Sequence, residues 1–282
     1  MLGLLLLQVL VSCLWLGHSE VVKNFEDCLE FFYAGTTPND ALHPQNPAWI
    51  CQSYSDTYHY ATLYDRERRI PVYSAYKYHP GPAKRPHKYW YVEPQLISEN
   101  ELQNMEREIV LVDQLHRFTL EEIKRSQAVL EDYNKMTGLN RGHLAACSHM
   151  DSKENKTSTF TLTNIVPQDE NLNKDKWNKY EYKTVPQMSQ GCTTTYIITG
   201  AVPGNTNTAD GRVNVPSHIW SAGCCLDGDQ PKKSWGVIAE NNKNRLKKVS
   251  LGDLENMLAT LYKGRRVTLF NNACPRQEAS LA

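Results

Sequence analysis

The chain has 282 residues with 31 basic and 31 acidic side chains, so its overall charge offers no pull toward polyanions. Any such affinity must come from local clusters: Arg66, Arg68 and Arg69; Lys84, Arg85, His87 and Lys88; or Lys263, Arg265 and Arg266. The length suits one large domain or two small ones, and without a Gly/Ser/Pro linker, repeat or low-complexity block one domain over 20–282 is the simpler reading.

Residues 2–16 are almost wholly apolar and uncharged, and Gly17-His18-Ser19 then precedes the first acidic residue, Glu20. At the extreme N-terminus this reads as a secretory signal over 1–19, cleaved before Glu20, more readily than as an uncleaved anchor. Residues 20–50, rich in Pro, Asn and Gly, read as an irregular arm. Residues 58–64 and 70–78 alternate as half-buried strands around the charged turn 65–69, which predicts a hairpin, and the stretch from Pro80 to Pro86 breaks it. Residues 119–133 have helical spacing, with Leu120, Ile123, Val129 and Leu130 among charged side chains. Residues 159–165 are β-rich and end at Pro167. A helix follows over 172–182, capped by Asp169 or Asn171, with Pro186 as its far limit. Residues 194–199 and 212–215 read as strands, and 251–262 carries a helical stripe of Leu251, Leu254, Leu258 and Leu261. Strands arriving as hairpins rather than in βαβ order favour an α+β domain.

Of the eight cysteines, Cys13 would leave with the signal, and the seven others predict disulfides plus one free or intermolecular thiol. A Cys28–Cys51 bridge is expected because both lie in the loop-rich N-terminal part. No Cys-x-x-Cys pair is present, so a zinc hydrolase is disfavoured. Asn155-Lys156-Thr157 is an N-glycosylation acceptor in a polar stretch read as a surface loop.

The chemistry concentrates in Asn140-Arg141-Gly142-His143, Asn164-Ile165-Val166-Pro167-Gln168 and Leu172-Asn173, with Trp177 and Glu181 beyond. These supply a base for water, a cation for phosphate and a neutral oxygen donor for a divalent metal, the parts of a one-metal phosphodiesterase. A neutral imidazole at His143 can take a proton near physiological pH. The planar fork of Arg141 suits two phosphate oxygens. Asn173, Trp177 and Glu181 are spaced by four, so on a helix they form one drifting stripe facing a cleft. The amide oxygen of Asn173 is a hard donor suited to Mg²⁺. Asn164 and Gln168 can fix the loop carrying His143 or orient water.

These three blocks, in this order and spacing, resemble the DNA/RNA non-specific endonuclease family, and most closely its vertebrate endonuclease domain-containing protein group. The segments Tyr60-Ala61-Thr62-Leu63-Tyr64-Asp65 and Ile70-Pro71-Val72-Tyr73-Ser74-Ala75-Tyr76 carry that second likeness, with Ser221-Ala222-Gly223-Cys224-Cys225. The resemblance implies a ββα-metal (His-Me finger) fold, a central largely antiparallel sheet with flanking helices. It implies His143 as general base, Asn173 as the direct ligand of Mg²⁺ or another divalent cation such as Mn²⁺, and Glu181 as the holder of its water. Arg141 would stabilise the phosphate, Asn164 would support the site, and Arg85 would be a second phosphate contact. The implied substrates are DNA and RNA, cut to a 5′-phosphate and a 3′-hydroxyl. Asn140 stands where many members have Asp, which implies an altered metal response or rate, and Ala145-Ala146-Cys147 lacks a Pro common there.

The leading reading is thus a secreted, Mg²⁺-dependent, sugar-non-specific endonuclease. The competing one is a catalytically weakened, nuclease-like secreted protein that binds another protein or an extracellular polyanion. Asn140 and the neutral charge lean toward the second; His143, Asn173 and Glu181 together lean toward the first.

Overall fold

The period-two pattern either side of the charged turn makes the expected hairpin. In this computed structural model, which describes residues 20–86, 89–208 and 210–277, β3 (Thr57–Asp65) turns into β4 (Ile70–Lys77). The Asp65 carboxylate accepts the Glu67 and Arg68 N–H groups at 3.0 Å each and shapes that turn. β2 (Pro47–Tyr54) and β1 (Val21–Val22) add on one side. β7 (Thr194–Val202), β10 (His218–Asp227), β11 (Gln230–Glu240) and β12 (Lys247–Val249) add on the other. The result is an eight-stranded sheet in the order β1-β2-β3-β4-β7-β10-β11-β12, with every neighbour antiparallel.

Both faces of this sheet are covered, so successive side chains go to different cores. Ile197, Ile219, Cys225, Trp235 and Val237 face one layer, while Ile198, Trp220, Ala222, Cys224 and Ile238 face the other. The second layer is closed by α1 (Leu251–Leu261), whose Leu251, Leu254 and Leu258 are fully buried as the leucine stripe requires. Each such side chain contributes roughly 1.5–3 kcal/mol. The first layer holds the three sequence blocks of interest.

The adjacent cysteines obey the same alternation. Cys224 points to one face and bonds Cys274; Cys225 points to the other and bonds Cys192. The expected Cys28–Cys51 bond is present, and Cys147 is buried and free. In the chain-entropy view each bridge stabilises by about 3–4 kcal/mol. Three disulfides fit an oxidising compartment. Among the described residues no helix is long and apolar enough to cross a membrane. The expected signal segment, 1–19, lies outside the described residues.

Several expected boundaries move. The last part of the arm, from Pro47, is strand β2, and Val21–Val22 pairs with it. The helix expected over 119–133 is two helices, Leu120–Ser126 and Leu130–Asn134. Between them the extended Gln127 exchanges two 2.8 Å hydrogen bonds with the Glu93 backbone, and Ala128 N–H donates to the Tyr64 hydroxyl. The strand expected at 159–165 lies at Ile165–Asp169 instead, after a tight turn over Leu162–Asn164. Pro167 sits inside it rather than ending it, which a strand paired on one edge tolerates. Pro186 likewise does not stop its helix, which runs on to Met188. The residues expected as a strand at 212–215 pair only at Asn214–Val215. The sequon lies in the helix Lys153–Ser158 rather than a loop, with Asn155 Nδ2 donating to Asp151 at 2.5 Å and Thr157 buried.

Candidate active site

β5 (Leu139–His143) and β6 (Ile165–Asp169) form an antiparallel pair that sets Asn140 opposite Gln168, Gly142 opposite Val166 and His143 opposite Ile165. A continuous helix over 170–188, here α2, follows at once. Of the two expected caps, Asp169 serves, its carboxylate accepting Leu172 N–H at 2.9 Å. Within α2, Asn173–Trp177 and Tyr180–Thr184 are π-helical. Its buried positions Leu172, Trp177, Tyr180, Thr184 and Val185 include a step of five at the first π-helical turn, which brings Trp177 inward where the α-helical spacing of four from Leu172 would bring in Lys176.

The strand pair is fixed to the sheet through Asn164, which is fully buried. Its Oδ1 accepts from Ala145 N–H (2.8 Å) and Ser74 hydroxyl (2.9 Å), and its Nδ2 donates to the Ala145 and Thr159 carbonyls, both at 3.0 Å. Those bonds use its capacity, so Asn164 clamps the chain just past His143 rather than reaching outward. Asn241 does the same for β6, with Nδ2 donating to the Pro167 and Pro216 carbonyls and Oδ1 accepting Asp169 N–H.

Gly142 is required by closeness. A Cβ there would lie 2.3 Å from Gln168 Oε1 and 2.7 Å from Gln168 Cβ. The Gln168 side chain fills that space and accepts Asn173 Nδ2 at 2.7 Å. With its nitrogen held, Asn173 is half-buried and keeps its Oδ1 as an acceptor that takes no hydrogen bond among the described residues.

His143 packs against Trp90 (ring centroids 5.6 Å apart) and Phe160 (5.0 Å, edge-on). Burial, and secondarily the Arg85 charge, pull its imidazole down to about 3, and its Nε2 is buried with no partner among the described residues. Burial pushes the Glu181 carboxyl up to about 8, against smaller opposing pulls from the Trp177 indole and Arg85. The indole N–H closes no hydrogen bond of ordinary geometry, although it lies near enough to ease that shift. Arg85 therefore acts on both His143 and Glu181, which places imidazole and carboxyl within one field. Its own side chain is exposed and lies 5.1 Å over the Phe160 ring.

Arg141 is half-buried and lies 5.2 Å over Trp90 and 5.9 Å over Tyr133, with Nη2 donating to Asn134 Oδ1 at 2.7 Å. Trp90 thus touches both Arg141 and His143. Asn140 is half-buried at the strand position opposite Gln168. Sequence reasoning missed Trp90, Phe160, Tyr133 and His149. The first three come from separate segments with no local signal. His149, in the turn just past His143, was visible as a second histidine.

A family model described as DNA/RNA non-specific endonuclease matches residues 37–276. The Endonuclease domain-containing 1 protein of Homo sapiens is 31% identical over 268 residues, covering 92% of this chain and 50% of that protein. That of Mus musculus is 28% identical over 263 residues, covering 90% and 48%. Endonuclease G, mitochondrial, of Homo sapiens is 34% identical over 94 residues, 33% of this chain and 31% of that protein. The chain spans about half the length of the two relatives matched along most of it.

The matched family implies a divalent cation, and the residues present fit one. Asn173 offers a neutral oxygen while Gln168 engages its nitrogen, and the half-buried Glu181, whose carboxyl is raised by desolvation, gains from a nearby positive charge.

Proposed function

The chain belongs to the DNA/RNA non-specific endonuclease family and has its ββα-metal fold, and from that premise we propose that it is a secreted, Mg²⁺-dependent endonuclease hydrolysing DNA and RNA. Mn²⁺ is the alternative ion. The observation that supports the reading is the Gly142–Gln168–Asn173 lock in the strand that ends at His143, since it engages the Asn173 nitrogen and leaves the amide oxygen to a hard cation. Three disulfides and the apolar N-terminal run support secretion.

His143 is unprotonated across the neutral range, the state a base for water requires. The negative charge of a bound phosphodiester opposes the pull of Arg85 and raises the basicity of the imidazole. Arg141 and Arg85 supply positive charge to phosphate oxygens. Contacts to phosphate rather than to base edges make cleavage independent of sequence, and nothing in this set discriminates deoxyribose from ribose. The cation, when bound, supplies positive charge to the phosphate and to the leaving oxygen. Asn173 would hold it, and Glu181 would orient water beside it.

Plasmid nicking with Mg²⁺ and with chelator tests this. Nicking that chelator abolishes supports the enzyme; inertness of folded protein in both overturns it. That second outcome favours a nuclease-like binding protein, the reading to which Asn140 points by withholding a carboxylate from the site.

A further inference from the structure

The helix that carries Glu181 has a gap in its backbone hydrogen bonding. In the π-helical turn Tyr180–Thr184, the N–H of Val185 donates to the Tyr180 carbonyl, five residues back. Continuing that pattern, the Glu181 carbonyl would take its bond from residue 186. Residue 186 is proline and has no N–H. The donor comes from outside the helix: His149 Nε2 lies 3.1 Å from Glu181 O. His149 is 2% exposed, sits in the turn Cys147–His149 close after His143, and has its Nδ1 3.0 Å from the Tyr76 hydroxyl.

We propose that His149 is a positioning residue, replacing the amide that Pro186 lacks and thereby fixing where α2 presents the Glu181 carboxyl. The assignment rests on the reading that Glu181 serves a cation site. A carbonyl only accepts, so Nε2 carries the proton and Nδ1 takes one from the Tyr76 O–H, leaving a single neutral tautomer. Burial agrees with that state, pulling His149 down to about 4 and holding the Tyr76 hydroxyl well above its usual range, so it stays protonated. The Tyr78 ring stands edge-on to the imidazole at 5.0 Å and closes its other side. One short stretch of chain therefore carries His143 and the clamp on the Glu181 backbone carbonyl, which ties the helix bearing the carboxyl to the strand bearing the imidazole.

Two measurements test this. In ¹⁵N-labelled wild-type chain, the ring of His149 is expected as the Nε2–H tautomer with a slowly exchanging proton, across neutral pH. An Nδ1–H tautomer or a rapidly exchanging ring overturns the proposal, whether or not the protein cleaves anything. The second is Mn²⁺ titration of folded protein by calorimetry. His149→Ala is expected to weaken binding by roughly 10-fold, as loss of a group that orients a metal-site residue does. His149→Gln, which keeps an N–H, is expected to lose less. Pro186→Ala in the His149→Ala background restores a helix donor and is expected to recover affinity to within about threefold. Recovery of thermal stability by that double variant without recovery of affinity refutes positioning. If wild-type chain binds no Mn²⁺, the cation reading fails, and the tautomer alone decides the role of His149.

Discussion

Gln168 Oε1 accepts the Asn173 amide N–H at 2.7 Å, in the space a side chain on residue 142 would fill. A strand residue thus aims a helix residue across a glycine. The first prediction concerns that lock. Gly142→Ala forces Gln168 to move, because even its Cβ would be 2.7 Å from the new methyl. The expected cost is about 1–3 kcal/mol in stability with loss of most activity. Gln168→Leu keeps the volume and removes the acceptor, so Mn²⁺ affinity should fall roughly 10–100-fold. Unchanged Mn²⁺ affinity in a folded Gln168→Leu protein removes the aiming role.

Replacing His143 by Ala is expected to lower cleavage by roughly 10²–10⁴-fold while the fold persists. The pH consequence has a definite sign. The folded pKa, about 3, lies below the ordinary 6.5, so the unfolded chain binds more protons as acid is added. Stability from keeping the imidazole neutral is complete above pH 6.5 and is lost as pH falls toward 3. His149, pulled to about 4, acts in the same direction. Acid unfolding followed by circular dichroism should therefore shift to lower pH in His143→Phe, which has no proton to gain. An unshifted acid transition contradicts the burial assigned to His143.

How far the sequence foretold this site depends on which force shapes each element. The β3–β4 hairpin and the leucine stripe of α1 were legible because burial alone sets their periods. The blocks around His143 and Asn173 were legible as chemistry, but their geometry was not. Thr161 and Thr163 have strand propensity, yet their hydroxyls both donate to the buried Glu93 carboxylate, and that local bonding makes a turn. Pro186 read as a terminus because its missing N–H has no partner in an α-helix. In the π-helical turn the loss falls on the Glu181 carbonyl, and His149 supplies the donor. Trp90 reaches His143 only through tertiary folding.

Glu181 gives the opposite pH sign. Its folded pKa, about 8, lies above the ordinary 4.5, so the stability of holding it protonated is complete below pH 4.5 and is lost as pH rises through 8. In cation-free protein, Glu181→Gln should melt higher than wild type at pH 8.5, with the gap closing toward pH 4.5. Adding Mn²⁺ should narrow the gap at high pH, because the cation stabilises the carboxylate that the amide cannot provide. Scanning calorimetry at the two pH values, with and without Mn²⁺, checks it; a gap that Mn²⁺ leaves untouched separates Glu181 from the cation.

Asn140 is the remaining question of charge. It sits half-buried on β5 opposite Gln168, in the strand that ends at His143. An added carboxylate there lies opposite Gln168, which holds the proposed cation ligand Asn173, so its field acts on the site more than on the core. Asn140→Asp is expected to shift the Mg²⁺ to Mn²⁺ activity ratio or the turnover rate, and to change the melting temperature by no more than a few degrees, since strand pairing is preserved. The same charge should raise the basicity of His143, moving the acid limb of the pH–rate profile upward, because a nearby anion favours the imidazolium. Metal-dependence and pH–rate curves of the two proteins decide it. If the curves superimpose, the position has no electrostatic part in the reaction.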